Sequence, residues 1–214
     1  MTATTQETVT ASLIAQYSTE WHAATHHGFL DGVADGSLAT QVWDRWLAQD
    51  YLFVADLLSF QANLLARAPR PSQAVLAAGL VTLEAELSWF EAHATKRGLR
   101  LQVARQATTT RYRTLLVALQ TAPYPVAITG LWAIERAYLD AWLGSRPGAV
   151  AYREFVEHWT VSAFGEYVAG LQRAADLALR TSSAEVCAQA NVAFLDVAGM
   201  EREFWEMAWS EHTT

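Results

Sequence analysis

Ile128-Thr-Gly-Leu-Trp-Ala-Ile-Glu-Arg-Ala-Tyr-Leu-Asp-Ala-Trp142 decides how the chain is read. At helical spacing Leu131, Trp132, Tyr138, Leu139 and Trp142 share one face, and Glu135 falls in the middle of it. A carboxylate on an apolar stripe is costly unless it has a partner or a task. The same anomaly recurs twice. Asp50 lies among Trp46, Leu47, Phe53, Val54 and Leu57, and Glu201 among Val197, Ala198, Phe204, Trp205 and Ala208. Three helices that each turn one acid inward predict one polar pocket inside a helical bundle. Glu86, flanked by Thr82, Leu83, Trp89 and Phe90, is a fourth candidate. Any one of these acids read alone is a satisfied buried carboxylate. Several in one apolar cavity repel one another, so at least one should keep a proton near neutral pH and serve as a general acid.

Composition narrows the class. The 214 residues are 52% hydrophobic and only 17% charged, which suits one folded domain over 1–214 and excludes wholesale disorder. Nine Trp, seven Tyr and eight Phe supply rings for a core and for a pocket that takes flat ligands. A net charge of −7 and the lack of a basic run argue against a nucleic-acid surface. Cys187 is the single cysteine, so no disulfide forms within the chain and a reducing cytoplasm is expected. Residues 1–6 read as a flexible tail without a signal pattern, and no apolar run reaches membrane-spanning length. The apolar helices suggest a homo-oligomer.

The punctuation predicts an all-α fold of about seven to eight helices. The first runs from about Glu7 to Thr25 and breaks at His26-His27-Gly28-Phe29. Thr40 caps a long helix through Leu65 that carries Asp50. Pro69 and Pro71 open the next, over about 72–95, and Lys96-Arg97-Gly98 closes it. Further helices follow at about 108–120, from Pro123-Tyr124-Pro125 to about Gly144, at 152–158, and at 163–179 capped by Ser162. Ser182 and Glu185 form a capping box for the last, which carries Glu201. Asp56 and Asp196 read as structural acids. Asp140, four residues after Arg136, reads as a surface ion pair.

Several segments resemble the TenA (thiaminase II) family. His27-Gly-Phe29-Leu-Asp-Gly32-Val-Ala-Asp-Gly36-Ser-Leu38 resembles its His-Pro-Phe…Gly…Gly-x-Leu entry. Gln49-Asp50-Tyr51-Leu52-Phe53 resembles its Gln-Asp-Tyr-Leu segment. Glu201-x-x-Phe204-Trp205-Glu206-Met207-Ala208 resembles its C-terminal Glu-x-x-Phe-Trp-x-x-Ala segment. Cysteine-type members carry a nucleophilic cysteine six residues before the acid aligned with Glu135. Here that position is Thr129, and Leu131-Trp-Ala-Ile-Glu135-x-x-Tyr138 looks like the cysteine-less TenA_E branch, in which a glutamate takes over the chemistry.

The resemblance implies a heme-oxygenase-like bundle, and salvage hydrolysis of an aminomethyl- or N-formylaminomethyl-pyrimidine from thiamin breakdown. It implies that Asp50 contacts the pyrimidine, that Glu201 is catalytic, and that Tyr112 and Trp159 occupy pocket-tyrosine positions. Glu135 and Glu201 are then the acid–base pair, in either order. Asp50 pairs with the ring edge, and Phe53, Glu86, Tyr112, Trp132, Tyr138 and Trp159 complete the substrate pocket. No cofactor is implied. Two rival readings are a pyrimidine-binding protein without catalysis, and a metal or heme protein with His22 as the heme ligand. The Glu-x-x-His spacing of a di-iron site is absent.

Overall fold

The computed structural model describes residues 8–209. It contains ten helices among those residues and no strand: α1 (Val9–Gln16), α2 (Ser18–Thr25), α3 (Gly28–Asp35), α4 (Thr40–Arg67), α5 (Arg70–Arg97), α6 (Ala107–Thr121), α7 (Tyr124–Gly144), α8 (Arg153–His158), α9 (Ser162–Arg180) and α10 (Ala184–Trp209). The all-α expectation holds. The count of seven to eight is low for two reasons. Tyr17, at φ −111° and ψ 41°, leaves the helical region and splits the first expected helix into α1 and α2. The segment before Gly36 forms a helix of its own, closed by Gly36 at φ +86°, a conformation that suits glycine. The tail expected at 1–6 lies outside the described residues.

Three expected caps are corrected. Thr40 and Ser162 are the first helical residues, and the cap positions before them, Ala39 and Val161, make no side-chain cap bond. The last helix starts one residue later than a Ser182 box requires. The Ser183 hydroxyl accepts from the Val186 N–H at 3.3 Å, while Ser182 donates to the Ala178 carbonyl at 2.9 Å. The prolines behave as read: Pro71 sits in the first turn of α5 and Pro125 in the first turn of α7, where a missing N–H costs nothing.

α7 is the axis of the bundle. Every residue from Val126 to Glu135 is buried, and the helix packs against α2, α3, α4, α6, α9 and α10. A helix apolar on all sides belongs in a core rather than at a surface. Gly130 lets α6 close on it, since a Cβ there would stand 2.8 Å from Leu119 Cδ1. Trp43, Trp46 and Trp142 are fully buried and meet at ring distances of 4.9 to 6.2 Å. Truncating one such ring to alanine would cost about 3–5 kcal/mol.

The connection between α5 and α6 is pinned to α4. The Gln49 amide donates to the Ala104 carbonyl and accepts from Gln106 N–H, each at 3.0 Å. Asp56 takes Arg105 at 3.0 Å, in keeping with a structural role. Asp140 accepts from Arg136 at 2.8 Å and also from the Trp21 indole at 3.2 Å, tying α7 to α2. Asp196 is exposed on α10. No described helix is long and apolar enough to cross a membrane.

Candidate active site

Four carboxyls from four helices gather beside α7: Asp50 on α4, Glu86 on α5, Glu135 on α7 and Glu201 on α10. A pocket of about 220 Å³ opens next to them. Asp50, Glu86 and Glu135 line it, with Phe53, Tyr138 and Trp159, as the sequence predicts. Gly79, Thr82, Leu83 and Glu86 form one stripe of α5 along its wall, at the spacing of a single helix face. Val161, 48% exposed, stands at the rim.

Each acid meets one aromatic donor from another helix or from later in the chain. The Tyr138 hydroxyl donates to Asp50 at 3.0 Å. The Trp159 indole N–H donates to Glu86 at 2.8 Å. The Tyr167 hydroxyl stands 3.4 Å from Glu135. The Tyr112 hydroxyl donates to Glu201. None of the lining residues is Lys or Arg. The acids therefore face one another and neutral partners, without a neighbouring cation.

The electrostatics follow from that arrangement. Burial drives each carboxyl toward its neutral form. Glu135 is pushed up to about 8, by burial first and then by the Glu86 charge. Glu201 and Glu86 are each pushed up to about 7 by burial, against the opposing bonds from Tyr112 and Trp159. Asp50 is raised well above the usual carboxylate range by burial and by the Glu86 charge, with Tyr138 opposing. Glu86 keeps part of its surface open, but that surface faces the pocket. Such a site holds protons at neutral pH and can both give and take them.

One expectation needs correction. Trp132 does not line the pocket. It is fully buried and stacks between Trp21 at 6.4 Å and Phe194 at 6.0 Å. At about 100° per residue it sits about 120° round α7 from Tyr138, on the side that meets α2 and α10. Thr129 is also off the pocket. It is buried and gives its hydroxyl to the Pro125 carbonyl at 2.7 Å, so the pocket face of α7 is Ile134, Glu135 and Tyr138.

Glu201 and Tyr112 stand behind the wall rather than on it. Tyr112 packs 4.5 Å from Phe53, which does line the pocket. Glu201 is nonetheless close enough to raise both Asp50 and Glu135.

Among the lining residues that the sequence reading did not single out are Tyr167 and His158. Tyr167 shares an apolar stripe of α9 with Phe164 and Leu171, which reads as ordinary core. His158 stacks on Trp89 at 4.0 Å and 2°, and burial lowers its pKa. His22, weighed as a heme ligand, is exposed, stacks on His26 at 4.0 Å and does not line the pocket. Among the described residues no three His, Cys, Asp or Glu side chains are grouped to hold a metal ion.

The sequence matches the model of the TENA/THI-4/PQQC family over residues 14–211. The chain belongs to the TENA/THI-4/PQQC family. Among its TENA/THI-4/PQQC relatives, a probable bifunctional TENA-E protein of Glycine max is 34% identical over 213 residues, covering 94% of this chain and 93% of its own. An aminopyrimidine aminohydrolase of Halalkalibacterium halodurans is 26% identical over 217 residues, covering 94% and 95%. The solved structure of a TenA homologue from Pyrococcus furiosus superposes with a TM-score of 0.88 at 27% identity, covering 92% of this chain and 98% of that one. The resemblance read from the sequence is thus borne out at the level of family and fold.

Proposed function

We propose that this protein is a thiamin-salvage C–N hydrolase acting on an aminomethyl- or N-formylaminomethyl-pyrimidine. The observation that carries the reading is the set of buried carboxyls around one ring-lined pocket with no cation among its lining residues. A ligand there must bring hydrogen-bond donors and a flat apolar body. An aminopyrimidine brings both. The aminohydrolase and TENA-E names of its relatives point the same way.

Asp50, held by Tyr138, faces the ring's amino edge, where a carboxyl can accept from the exocyclic amine and pair with a ring nitrogen. Glu86, held by Trp159, contacts the leaving amine or formamide end. Phe53, Tyr138 and Trp159 clasp the ring faces. In the aminomethyl case water adds to the methylene carbon as its C–N bond breaks. One glutamate takes a proton from water and the other gives one to the leaving nitrogen, so hydroxymethyl-pyrimidine and ammonia leave. Glu135 and Glu201 are that pair. That role for Glu201 requires a bound ring to displace Phe53, because Glu201 and Tyr112 do not line the pocket as it stands and Tyr112 packs against Phe53.

Incubation with the formylated pyrimidine, the aminomethyl-pyrimidine and intact thiamin, with products identified by mass, tests the reading. The expected result is turnover of one or both pyrimidines and poor cleavage of thiamin. Binding without turnover would favour a pyrimidine-binding protein instead. Asp50→Asn should raise KM about 10-fold, because an amide cannot share a proton with the ring nitrogen as a carboxyl can. The same reading takes the protein as a single-domain cytoplasmic homo-oligomer, a copy number that light scattering measures.

A further inference from the structure

Tyr167 has one hydroxyl proton and two carbonyl-type oxygens within reach. Gln61 Oε1 is the nearer, at 3.0 Å, and Glu135 Oε1 lies at 3.4 Å. Gln61 cannot turn its amide round, because its Nε2 donates to the Leu76 carbonyl at 2.8 Å and the side chain is fully buried. Its oxygen therefore always faces Tyr167. Gly79 makes the approach possible. A Cβ at that position would stand 2.2 Å from Gln61 Nε2 and 2.5 Å from the Tyr167 oxygen. Four helices, α4, α5, α7 and α9, thus converge on one chain of hydrogen bonds.

We propose that Gln61 is a positioning residue: by claiming the Tyr167 proton it leaves Glu135 as the donor in a chain that runs Glu135 to Tyr167 to Gln61 to the Leu76 carbonyl, and so makes Glu135 the proton donor of the active site. If Glu135 ionised, Tyr167 would have to turn its proton to the carboxylate and leave the buried Gln61 oxygen unpaired. The chain therefore resists ionisation of Glu135. The charged groups facing Glu135 agree in sign, and only the long Tyr167 contact works against them. Glu86 on α5 and Glu201 on α10 both oppose its ionisation, and Asp50 on α4 is itself a carboxyl, while Tyr112 on α6 and His158 at the end of α8 are neutral partners at neutral pH. This assignment of acid and base rests on the hydrolase reading above.

The test uses infrared difference spectra of the ligand-free protein against pH, with the Glu135 band identified by its loss in Glu135→Gln. Gln61→Leu removes the competing acceptor, so Tyr167 turns to Glu135 and the midpoint falls by about 1–2 pH units. In a Tyr167→Phe background the same Gln61→Leu change should leave the midpoint where it is, because the effect travels through that hydroxyl. The basic limb of the kcat profile on the aminomethyl-pyrimidine should move down with the band in Gln61→Leu, with KM little changed. An unmoved midpoint in Gln61→Leu, or an equal shift in the Tyr167→Phe background, would overturn the proposal. Because the infrared readout needs no substrate, the two readings fail separately. The spectral pattern without hydrolysis removes the hydrolase, and hydrolysis without the pattern removes the chain.

Discussion

Glu201 and Glu135 are both buried, both on helices at the centre of the bundle, and both beside a tyrosine hydroxyl, yet the two hydroxyls are committed differently. Tyr112 commits its one hydroxyl proton to Glu201. Its proton supports the ionised carboxylate and opposes the rise that burial causes. Tyr167 is shared between Glu135 and Gln61, and the shorter contact goes to Gln61. Burial then acts on Glu135 with less resistance, and the Glu86 charge adds to it, so this carboxyl is pushed up to about 8 against about 7 for Glu201. Burial raises both carboxyls, but Glu135 alone also carries the push of the Glu86 and Glu201 charges, and Gln61 draws off the hydroxyl that would oppose it.

The largest expected effect breaks the pair outright. Glu135→Gln and Glu201→Gln should each cut kcat on the processed pyrimidine about 10²- to 10⁴-fold with the far-ultraviolet dichroism unchanged. Full activity in either variant would remove that glutamate from the chemistry and leave the comparison as one of structure alone.

Stability gives a second handle. The folded protein binds the protons of Glu135 and Glu201 more tightly than the unfolded chain, whose glutamates titrate near 4.5. The folded state therefore carries more protons between those limits, and stability must fall as pH rises. The contribution is fully present below about 4.5, and it is lost as pH climbs through about 7 for Glu201 and about 8 for Glu135. Each glutamate can account for at most about 1.4 kcal/mol per pH unit. Denaturant melts of the ligand-free protein at a series of pH values should show that decline. Glu135→Gln should flatten it further into the alkaline range than Glu201→Gln does. An equal flattening by the two variants would erase the difference between the pairs.

The smallest effect sharpens the comparison from the other side. Tyr112→Phe removes the donor that supports ionised Glu201. The acid limb of the pH–rate profile should move up by about one unit, with a modest loss of kcat. A limb that stays in place would mean that Tyr112 serves packing against Phe53 rather than the carboxyl.

The acids themselves were legible in the sequence, because a carboxyl on an apolar stripe has to be explained. Asp50, Glu86 and Glu135 reach the pocket as read. Their partners were not legible, since each comes from a distant part of the chain: Tyr138 for Asp50, Trp159 for Glu86, Tyr167 for Glu135. Tyr167 in particular sits on an amphipathic helix where a tyrosine is ordinary core. Trp132 was drawn into the pocket by the opposite difficulty. Apart from Glu135 and the Arg136–Asp140 pair, α7 is apolar around its circumference, so its sequence says little about which way the pocket lies. Glu201 shows a further limit, because inward-facing was legible but the layer behind Phe53 was not. The helix breaks at Tyr17 and Gly36 depend on local backbone geometry that an apolar repeat passes over.

The most direct measurement is the stoichiometry of ammonia and hydroxymethyl-pyrimidine released from the aminomethyl-pyrimidine by the wild-type protein and by the Glu135→Gln/Glu201→Gln double variant. The wild type is expected to release the two products in equal amounts, and the double variant to bind the pyrimidine and release neither. A double variant that turned over at the wild-type rate would contradict the central claim, that buried carboxyls carry the hydrolysis.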